Sequence, residues 1–321
     1  MRARGLLLPV LLVSALTLGV TTPPDPRPLS SEGQAHQWSL VAGEVVGHDV
    51  IVPTGTTPTF LPGSLVLGPG AAADSSVSEA AHEEAARQRA WIAQGVPADG
   101  PHAALVEAAM LDLYAATHDP DGAVHAPYAA PTGAWRYVWP RDAAFVAVAL
   151  ARTGHASDAV EVLRFFDGVD HEGGYHARYR ADGTIPDDRA PQHDGAAWLL
   201  WASSQVYSQA PRAEQAAVLA RLDGVIETSA DLLLAATAGS DNLPAISSDY
   251  WEQPETRLTL GIAAPSLTGL AALADLRAAQ GRGGEADAAA SRLADVRSAV
   301  VDAFGPRWPR YAGGRHQDAA V

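Results

Sequence analysis

The residues best suited to chemistry lie between Trp135 and Asp142, in the stretch Trp-Arg-Tyr-Val-Trp-Pro-Arg-Asp. Arg141 carries a planar guanidinium and Asp142 a carboxylate, and together they can hydrogen-bond several neighbouring hydroxyl groups of one sugar ring. Trp135, Tyr137 and Trp139 offer flat faces to the C–H side of such a ring. A structural role fits the same residues, because Asp142 stands where a helix N-cap is expected and Arg141 could be its ion-pair partner.

Two later stretches contain residues of the same kinds. Gln192 and Asp194 stand in Pro-Gln-His-Asp-Gly, where the glutamine offers a donor and an acceptor to a ligand and the aspartate fits a helix cap. Glu252 follows Trp251 in Ser-Ser-Asp-Tyr-Trp-Glu-Gln. Aromatic side chains that exclude water raise the pKa of a neighbouring carboxyl group, as a general acid working near neutral pH requires. The other interpretation of this loop is a surface pair of Asp249 and Glu252.

Helices must position these residues, because apolar residues recur with a helical period from residue 76 onward. Every second link between the predicted helices is short, so consecutive helices should pair as antiparallel hairpins. The three long links then lie at one end and carry the three stretches. The third helix is apolar nearly all round, which favours a position enclosed by other helices. We predict an all-α fold, an α/α toroid, with helices at about 77–94, 101–117, 142–153, 157–167, 193–208, 213–237, 264–280 and 284–304.

The N-terminal quarter has a different character. Residues 1–20 carry two arginines and then an apolar run, which predicts a secretory signal peptide, with an uncleaved N-terminal anchor as the alternative. Residues 21–75 are rich in Pro, Gly, Thr and Val and predict a tether followed by a short β-type arm. Residues 76–321 then form the helical catalytic domain, and the protein is expected outside the cell.

Composition excludes several classes of partner. The 321 residues carry a net charge of −15, and all 22 basic residues are arginines without a basic stripe, which argues against nucleic acid or an anionic membrane surface. Cysteine is absent, which excludes disulfides and thiolate metal sites. His171, Glu172 and His176 lack the fixed spacing of a metal site, so no metal is predicted. We expect a monomer.

Taken in order, Trp-Pro-Arg-Asp, Pro-Gln-x-Asp-Gly and Asp-Tyr-Trp-Glu resemble the glucoamylase-like glycoside hydrolases of family fifteen. The similarity is greatest to the bacterial branch that includes glucodextranases and trehalases, and it extends from about residue 103 to the end. The resemblance implies that Trp139, Arg141 and Asp142 hold the terminal glucose. It also implies that Glu252 is the general acid and that Trp251 lines the same pocket. Fungal members carry a second glutamate where this chain has Gln253, and that sugar contact is the local departure.

The resemblance implies an exported, inverting exo-glycosidase that needs no cofactor and releases glucose from the non-reducing ends of α-glucans, with dextran, isomaltose and trehalose as other possible substrates. The family's barrel has six hairpins, whereas about four are predicted here, so the catalytic domain is expected to be incomplete and its base to lie beyond Val321. Glu161, Glu172, Glu227 and Glu255 are substitutes only by residue type. A non-catalytic carbohydrate-binding barrel or an inactive fragment is the alternative. A serine hydrolase is disfavoured because no Gly-x-Ser-x-Gly elbow occurs.

Overall fold

A computed structural model of the chain describes residues 59–66, 68, 79–119, 122–129 and 135–317, and the backbone of four short strands. Strand β1 (Gly33–Ala35) pairs antiparallel with β4 (Val50–Val52), and β2 (Ser39–Val41) pairs antiparallel with β3 (Glu44–Val46). All four lie within the segment for which the sequence predicts short strands. The predicted signal peptide, residues 1–20, and the chain end from residue 318 lie outside the described residues.

Eight α-helices occur in the described part of the chain, which confirms the predicted all-α fold. The seventh helix begins at Leu260, whereas the sequence predicts a start at about residue 264, and the helix continues through Pro265. The helices are α1 (Glu79–Gln94), α2 (Ala103–Thr117), α3 (Pro140–Arg152), α4 (Ala156–Arg164), α5 (Asp194–Gln209), α6 (Gln215–Ala236), α7 (Leu260–Ala279) and α8 (Gly283–Phe304).

The last six helices form three hairpins arranged in two layers. Helix α5 packs between α3 and α7 in one layer, while α4 and α6 pack behind them and α8 packs against α7. The close approach of α5 and α7 requires Gly269, because a Cβ atom there would lie 2.6 Å from Ala197 Cα. Fully buried Leu, Ile and Phe side chains fill the space between the layers. This order of neighbours is the one expected for consecutive hairpins of an α/α toroid.

The first hairpin and the first long link depart from the prediction. Trp91 Nε1 of α1 donates a 2.7 Å hydrogen bond to Asp158 Oδ2, and His118 Nε2, just after α2, lies 3.6 Å from the same oxygen. Asp158 belongs to the first turn of α4, so the end of α2 lies beside the α3–α4 turn, far from Trp139. The two ends of the link 118–139 therefore lie at opposite ends of α3, whose 13 residues extend about 20 Å at 1.5 Å per residue. The prediction that all three long links join helix ends at one face is wrong for this link, because Asp158 holds both α1 and the end of α2.

Helix α3 is less enclosed than its apolar sequence predicts. Phe145 is 50% exposed, and its ring contacts the rings of Trp198 and Trp201 of α5, at centroid distances of 5.2 and 5.0 Å. The opposite side of α3, with Ala144, Ala147 and similar small residues, is buried against its neighbours. Within the described ranges, no helix combines the length and the hydrophobicity that a membrane span needs.

Candidate active site

The N-terminal ends of α3, α5 and α7 lie together, and backbone hydrogen bonds join the segments that lead into them. Val138, before α3, exchanges two hydrogen bonds of 2.9 and 2.8 Å with Tyr179 in the link 165–193. Gln192 N donates to Tyr175 O at 2.7 Å within that link, and His193 N donates to Ser247 Oγ at 3.1 Å in the link 237–259. The three stretches singled out in the sequence therefore meet at one end of the hairpins.

Arg141 and Asp194 form the charged centre of this end. Arg141 Nη1 donates a 2.8 Å hydrogen bond to Asp194 Oδ2, and the side chain of Asp194 is only 3% exposed. The two helix-cap interpretations are wrong. Trp139 is the N-cap residue of α3 and Pro140 is its first helical residue, so Asp142 lies within the first turn. Asp194 is the first residue of α5, and its carboxylate accepts the hydrogen bond from Arg141. Both side chains are thereby held at positive ends of helix dipoles.

The pKa values of Asp194 and of Asp142, the neighbour of Arg141 in sequence, are both raised. Burial raises the pKa of Asp194, Arg141 lowers it only in part, and the negative charge of Asp249 raises it further. Burial also raises the pKa of Asp142, against the lowering by Arg141, and the charge of Glu252 adds to the rise. Arg141 therefore lowers the pKa of a buried carboxyl group, Asp194, and of a partly buried one, Asp142, and Glu252 lies close enough to Asp142 to affect it.

Glu252 is held by residues from two other links. Its Oε1 accepts a 2.5 Å hydrogen bond from Trp139 Nε1, which joins residues 113 positions apart in the sequence. Its Oε2 accepts a hydrogen bond from Arg189 Nη1. The Glu252 side chain is 17% exposed, and Trp139 is 3% exposed. Both carboxylate oxygens thus have donors, and one oxygen faces a half-exposed arginine.

The backbone of Glu252 has a left-handed conformation, with φ of 52°. Its N–H donates to Asp249 O at 2.7 Å, and Asp249 is fully buried. Asp249 Oδ1 accepts from Trp251 N at 3.0 Å and from Arg310 Nη2 at 3.1 Å. The interpretation of Asp249 and Glu252 as a surface pair is therefore wrong, because the aspartate holds the turn from inside.

Close packing presses this turn against α7. A Cβ atom at Gly261 would lie 2.6 Å from Tyr250 Cε1 and 3.0 Å from Asp249 Oδ2. Gln192, just before α5, fixes the same turn, because its Nε2 donates to Asp249 O at 3.1 Å and it is only 4% exposed. Gln192 was expected to contact a ligand, whereas its amide N–H group serves the turn. Trp251, at 56% exposure, presents its ring at the surface instead.

The sequence did not indicate Arg189, Asp187 or Arg178, although they complete the surroundings of Glu252. Arg178 Nη2 and Nε donate to Asp187 Oδ2 at 2.6 and 3.1 Å, and Arg189 Nε lies 3.6 Å from the same oxygen. The guanidinium of Arg178 lies 4.5 Å from the ring centroid of Tyr137. The only signal was a run of charges in a loop, which is ordinary for a solvated segment.

Most of the glutamates considered as substitutes for the catalytic base have arginine partners. Glu172 is the exception in the contacts found here, and it lies in the link 165–193, where its N–H donates to Asp170 Oδ1 at 3.0 Å. Three of the four candidates therefore have a partner that explains their presence without a catalytic role. The pairs are Glu161 with Arg221, Glu227 with Arg277 and Arg282, and Glu255 with Arg310.

Metal binding finds no support in the placed side chains. Among the described residues, no group of three or more His, Asp or Glu side chains is arranged to hold a metal ion. Of the residues weighed for such a site, His171 directs Nδ1 to Val169 O at 3.0 Å.

The comparisons with known proteins concern the fold. No protein-family model matches the sequence, and no curated protein matches it. A crystal structure of bacterial glucoamylase complexed with acarbose is similar, with a TM-score of 0.55 and 17% identity over 74% of this chain and 36% of that one. The chain shares the fold of that glucoamylase. Glucoamylase from Saccharomycopsis fibuligera gives a TM-score of 0.48 and 14% identity over 58% of this chain and 45% of that one.

The eight helices thus correspond to part of the α/α toroid of glucoamylases, which confirms the predicted architecture. The chain spans about a third of the bacterial glucoamylase structure, since the match covers 36% of it. At 17% identity the likeness establishes the fold and not the activity. What the site does must be argued from its own residues.

Proposed function

We propose that this end of the hairpins binds a glucose-containing oligosaccharide or α-glucan and that Glu252 is a general acid for inverting exo-hydrolysis. The observation that carries the proposal is the 2.5 Å hydrogen bond from Trp139 Nε1 to Glu252 Oε1. It places a carboxyl group from one link directly against the Arg141–Asp142 stretch from another. A carboxyl group beside a sugar-binding cluster is the arrangement that glycoside hydrolysis needs.

The grip on the sugar ring comes from charged groups held in fixed positions. Arg141 is fixed by Asp194 and keeps other N–H groups for ring hydroxyls, because a guanidinium has five donors. Asp142 accepts hydroxyl hydrogen bonds when ionised. The exposed rings of Trp135 and Trp251, 62% and 56% exposed, supply apolar faces for the C–H side of the ligand.

The proposed chemistry moves one proton at Glu252. In this step the carboxyl proton passes to the glycosidic oxygen, the C1–O bond breaks, and a water adds to C1 from the opposite face. A second carboxylate takes the proton of that water. We assign only the acid to this chain, so sugar binding tests the sugar site without requiring turnover, and glucose release tests the acid. General acid catalysis contributes about 10²–10⁴ in rate.

Two further parts of the proposal rest on weaker support. The similar bacterial structure was solved as a complex with acarbose, and we propose the same kind of ligand for this chain. We also propose export through residues 1–20, on the charge and apolar pattern of that segment. The linkage preference among maltodextrin, dextran, isomaltose and trehalose follows from neither.

A non-catalytic sugar-binding barrel is the second candidate, and one observation favours it. Both oxygens of Glu252 accept hydrogen bonds, from Trp139 and Arg189, and a carboxylate in that arrangement has no proton to donate. Binding without hydrolysis would leave this pairing undisturbed. Catalysis requires a ligand to displace Arg189.

Calorimetric titration with acarbose, beside a glucose-release assay on maltose, isomaltose, trehalose and dextran, tests both candidates. Glu252→Gln should keep sugar affinity within about threefold and reduce any release by about 10²–10⁴, because the amide keeps the shape without the proton. Glu107→Gln, an exposed change on α2, is the matched control and should alter neither.

Each outcome has one meaning. Absence of acarbose binding by the unmodified protein contradicts the sugar site itself. Release that survives in Glu252→Gln removes the acid role from Glu252. Binding by both proteins without release by either contradicts hydrolysis by this chain on its own.

A further inference from the structure

Arg189 lies at the centre of the site, and the proposed function gives it no task. Its Nη1 donates to Glu252 Oε2 across 63 positions of sequence, and its side chain is 42% exposed. A surface ion pair of this kind contributes little to stability, typically below about 1 kcal/mol. The contribution of Arg189 to stability therefore does not explain why it lies against Glu252.

The hydrogen bonds of Glu252 determine which oxygen faces the leaving group. A protonated carboxyl group has one carbonyl-type oxygen, which accepts, and one hydroxyl oxygen, which donates. Trp139 Nε1 can only donate, so the oxygen that it contacts, Oε1, is the acceptor and Oε2 carries the proton. The glycosidic oxygen must then approach Oε2, and in the unliganded chain that position belongs to Arg189.

Neighbouring residues keep Arg189 at this position. Asp187 Oδ2 lies 3.6 Å from Arg189 Nε, and the same oxygen accepts two hydrogen bonds from Arg178. Arg178 in turn lies over the rings of Tyr137 and Trp139, at 4.5 and 5.7 Å from their centroids. A ligand that displaces the guanidinium from Oε2 therefore leaves it beside Asp187 and close to the scissile bond.

We propose that Arg189 is a specificity-determining residue for the sugar on the leaving-group side. On ligand binding it gives up Oε2 and donates N–H hydrogen bonds to hydroxyl groups of the second ring. The proposal rests on the proposed function and extends it from one ring to two. It makes a hydroxylated second ring the preferred leaving group, over a simple alkyl group.

The test is a ratio of affinities, measured by titration calorimetry. Maltose and isomaltose carry a second ring, whereas methyl α-D-glucopyranoside keeps the first ring and replaces the second by a methyl group. Arg189→Ala should lower the affinity for each disaccharide, relative to the methyl glucoside, by roughly tenfold, as expected for loss of hydrogen bonds from a charged donor. The ratio cancels any effect that uncovering Glu252 has on all ligands.

Two further variants complete the design. Arg212→Ala removes the same charge from the exposed α5–α6 link at the other end of these helices, and its ratio should equal that of the unmodified protein. Arg189→Lys keeps the charge and a shorter donor and should restore part of the ratio. Thermal unfolding of each variant checks the fold, and Arg189→Gln replaces Arg189→Ala if the latter unfolds.

The outcomes separate the two proposals. An unmodified protein that binds none of these sugars contradicts the proposed function. Sugar binding with an unchanged ratio in Arg189→Ala overturns the role of Arg189 alone. A gain in affinity for all ligands with the ratio unchanged also overturns it, and shows that Arg189 only occludes the site.

Discussion

Replacing Arg141 by methionine removes the ion-pair partner that Asp194 has among the described residues, and it keeps the apolar stem of the arginine, while the Asp194 side chain is 3% exposed. Removal of one partner from a buried ion pair costs about 3–5 kcal/mol. Because Arg141 itself is 22% exposed, we expect the lower end, about 3 kcal/mol. For a domain of this size that corresponds to a melting temperature lower by about 6–12 °C.

The loss should depend on pH, and its sign follows from Asp194. Burial raises the pKa of Asp194 above its ordinary value of 3.8, and removing the arginine takes away the main opposing influence. The folded state then binds more protons than the unfolded state between these two pKa values. The unfolding free energy of Arg141→Met should therefore fall as the pH rises from the ordinary value through the raised one, and stay low above it.

Urea unfolding, followed by tryptophan fluorescence between pH 4 and pH 8, measures this dependence. The double variant Arg141→Met/Asp194→Asn removes the titrating group and should lose the added pH dependence, with stability at neutral pH above that of Arg141→Met. A single variant within about 0.5 kcal/mol of the unmodified protein at pH 7 would refute the reasoning, because surface pairs contribute that little. Equal pH profiles for the single and double variants would refute it as well.

Two further predictions concern packing and binding. Gly269→Ala should destabilise the fold by about 1–3 kcal/mol in urea unfolding, because the new Cβ would meet Ala197 Cα at 2.6 Å. Gly284→Ala is the control, because it has open space around it and should be neutral or stabilising by up to about 1 kcal/mol. Equal effects of the two changes would contradict close packing of α5 on α7. Acarbose affinity should fall as the pH falls through the raised pKa of Asp142, since the ionised form accepts sugar hydroxyls, and Asp142→Asn should bind more weakly without this pH dependence. Calorimetry at several pH values measures this dependence. An identical pH profile in Asp142→Asn would contradict a hydrogen bond from a sugar hydroxyl to Asp142.

The helices were predictable because each buries an apolar face with a period that the sequence displays. The end of α2 was not predictable in the same way. It depends on Asp158, which draws Trp91 and His118 to one oxygen from two different helices. Sequence spacing gives no sign of such a contact. The alternation of short and long links therefore suggested a regular arrangement, whereas the two ends of the first long link lie at opposite ends of α3.

The residues of the site likewise fall into those that the sequence indicates and those that it does not. Arg141, Asp142 and Glu252 could be selected because their neighbours in sequence are aromatic and polar in a recognisable order. Arg189 and Arg310 could not, because they reach their carboxylate partners across 63 and 61 positions. An arginine in a loop has many possible partners, and only the folded chain decides among them.

The backbone conformation of Glu252 indicates whether this residue does more than form part of a surface turn. Among the described residues, only Asn242, Glu252 and Trp308 combine a side chain with positive φ. A conformation of this kind costs of order 1–3 kcal/mol unless its surroundings impose it, and glycine would adopt it without that cost. Here the N–H bond to Asp249 O imposes it, and Asp249 is buried and paired with Arg310. A turn that needed only to reverse the chain would be served by glycine, whereas this one directs a carboxyl group onto the indole of Trp139, which is what a positioned acid requires.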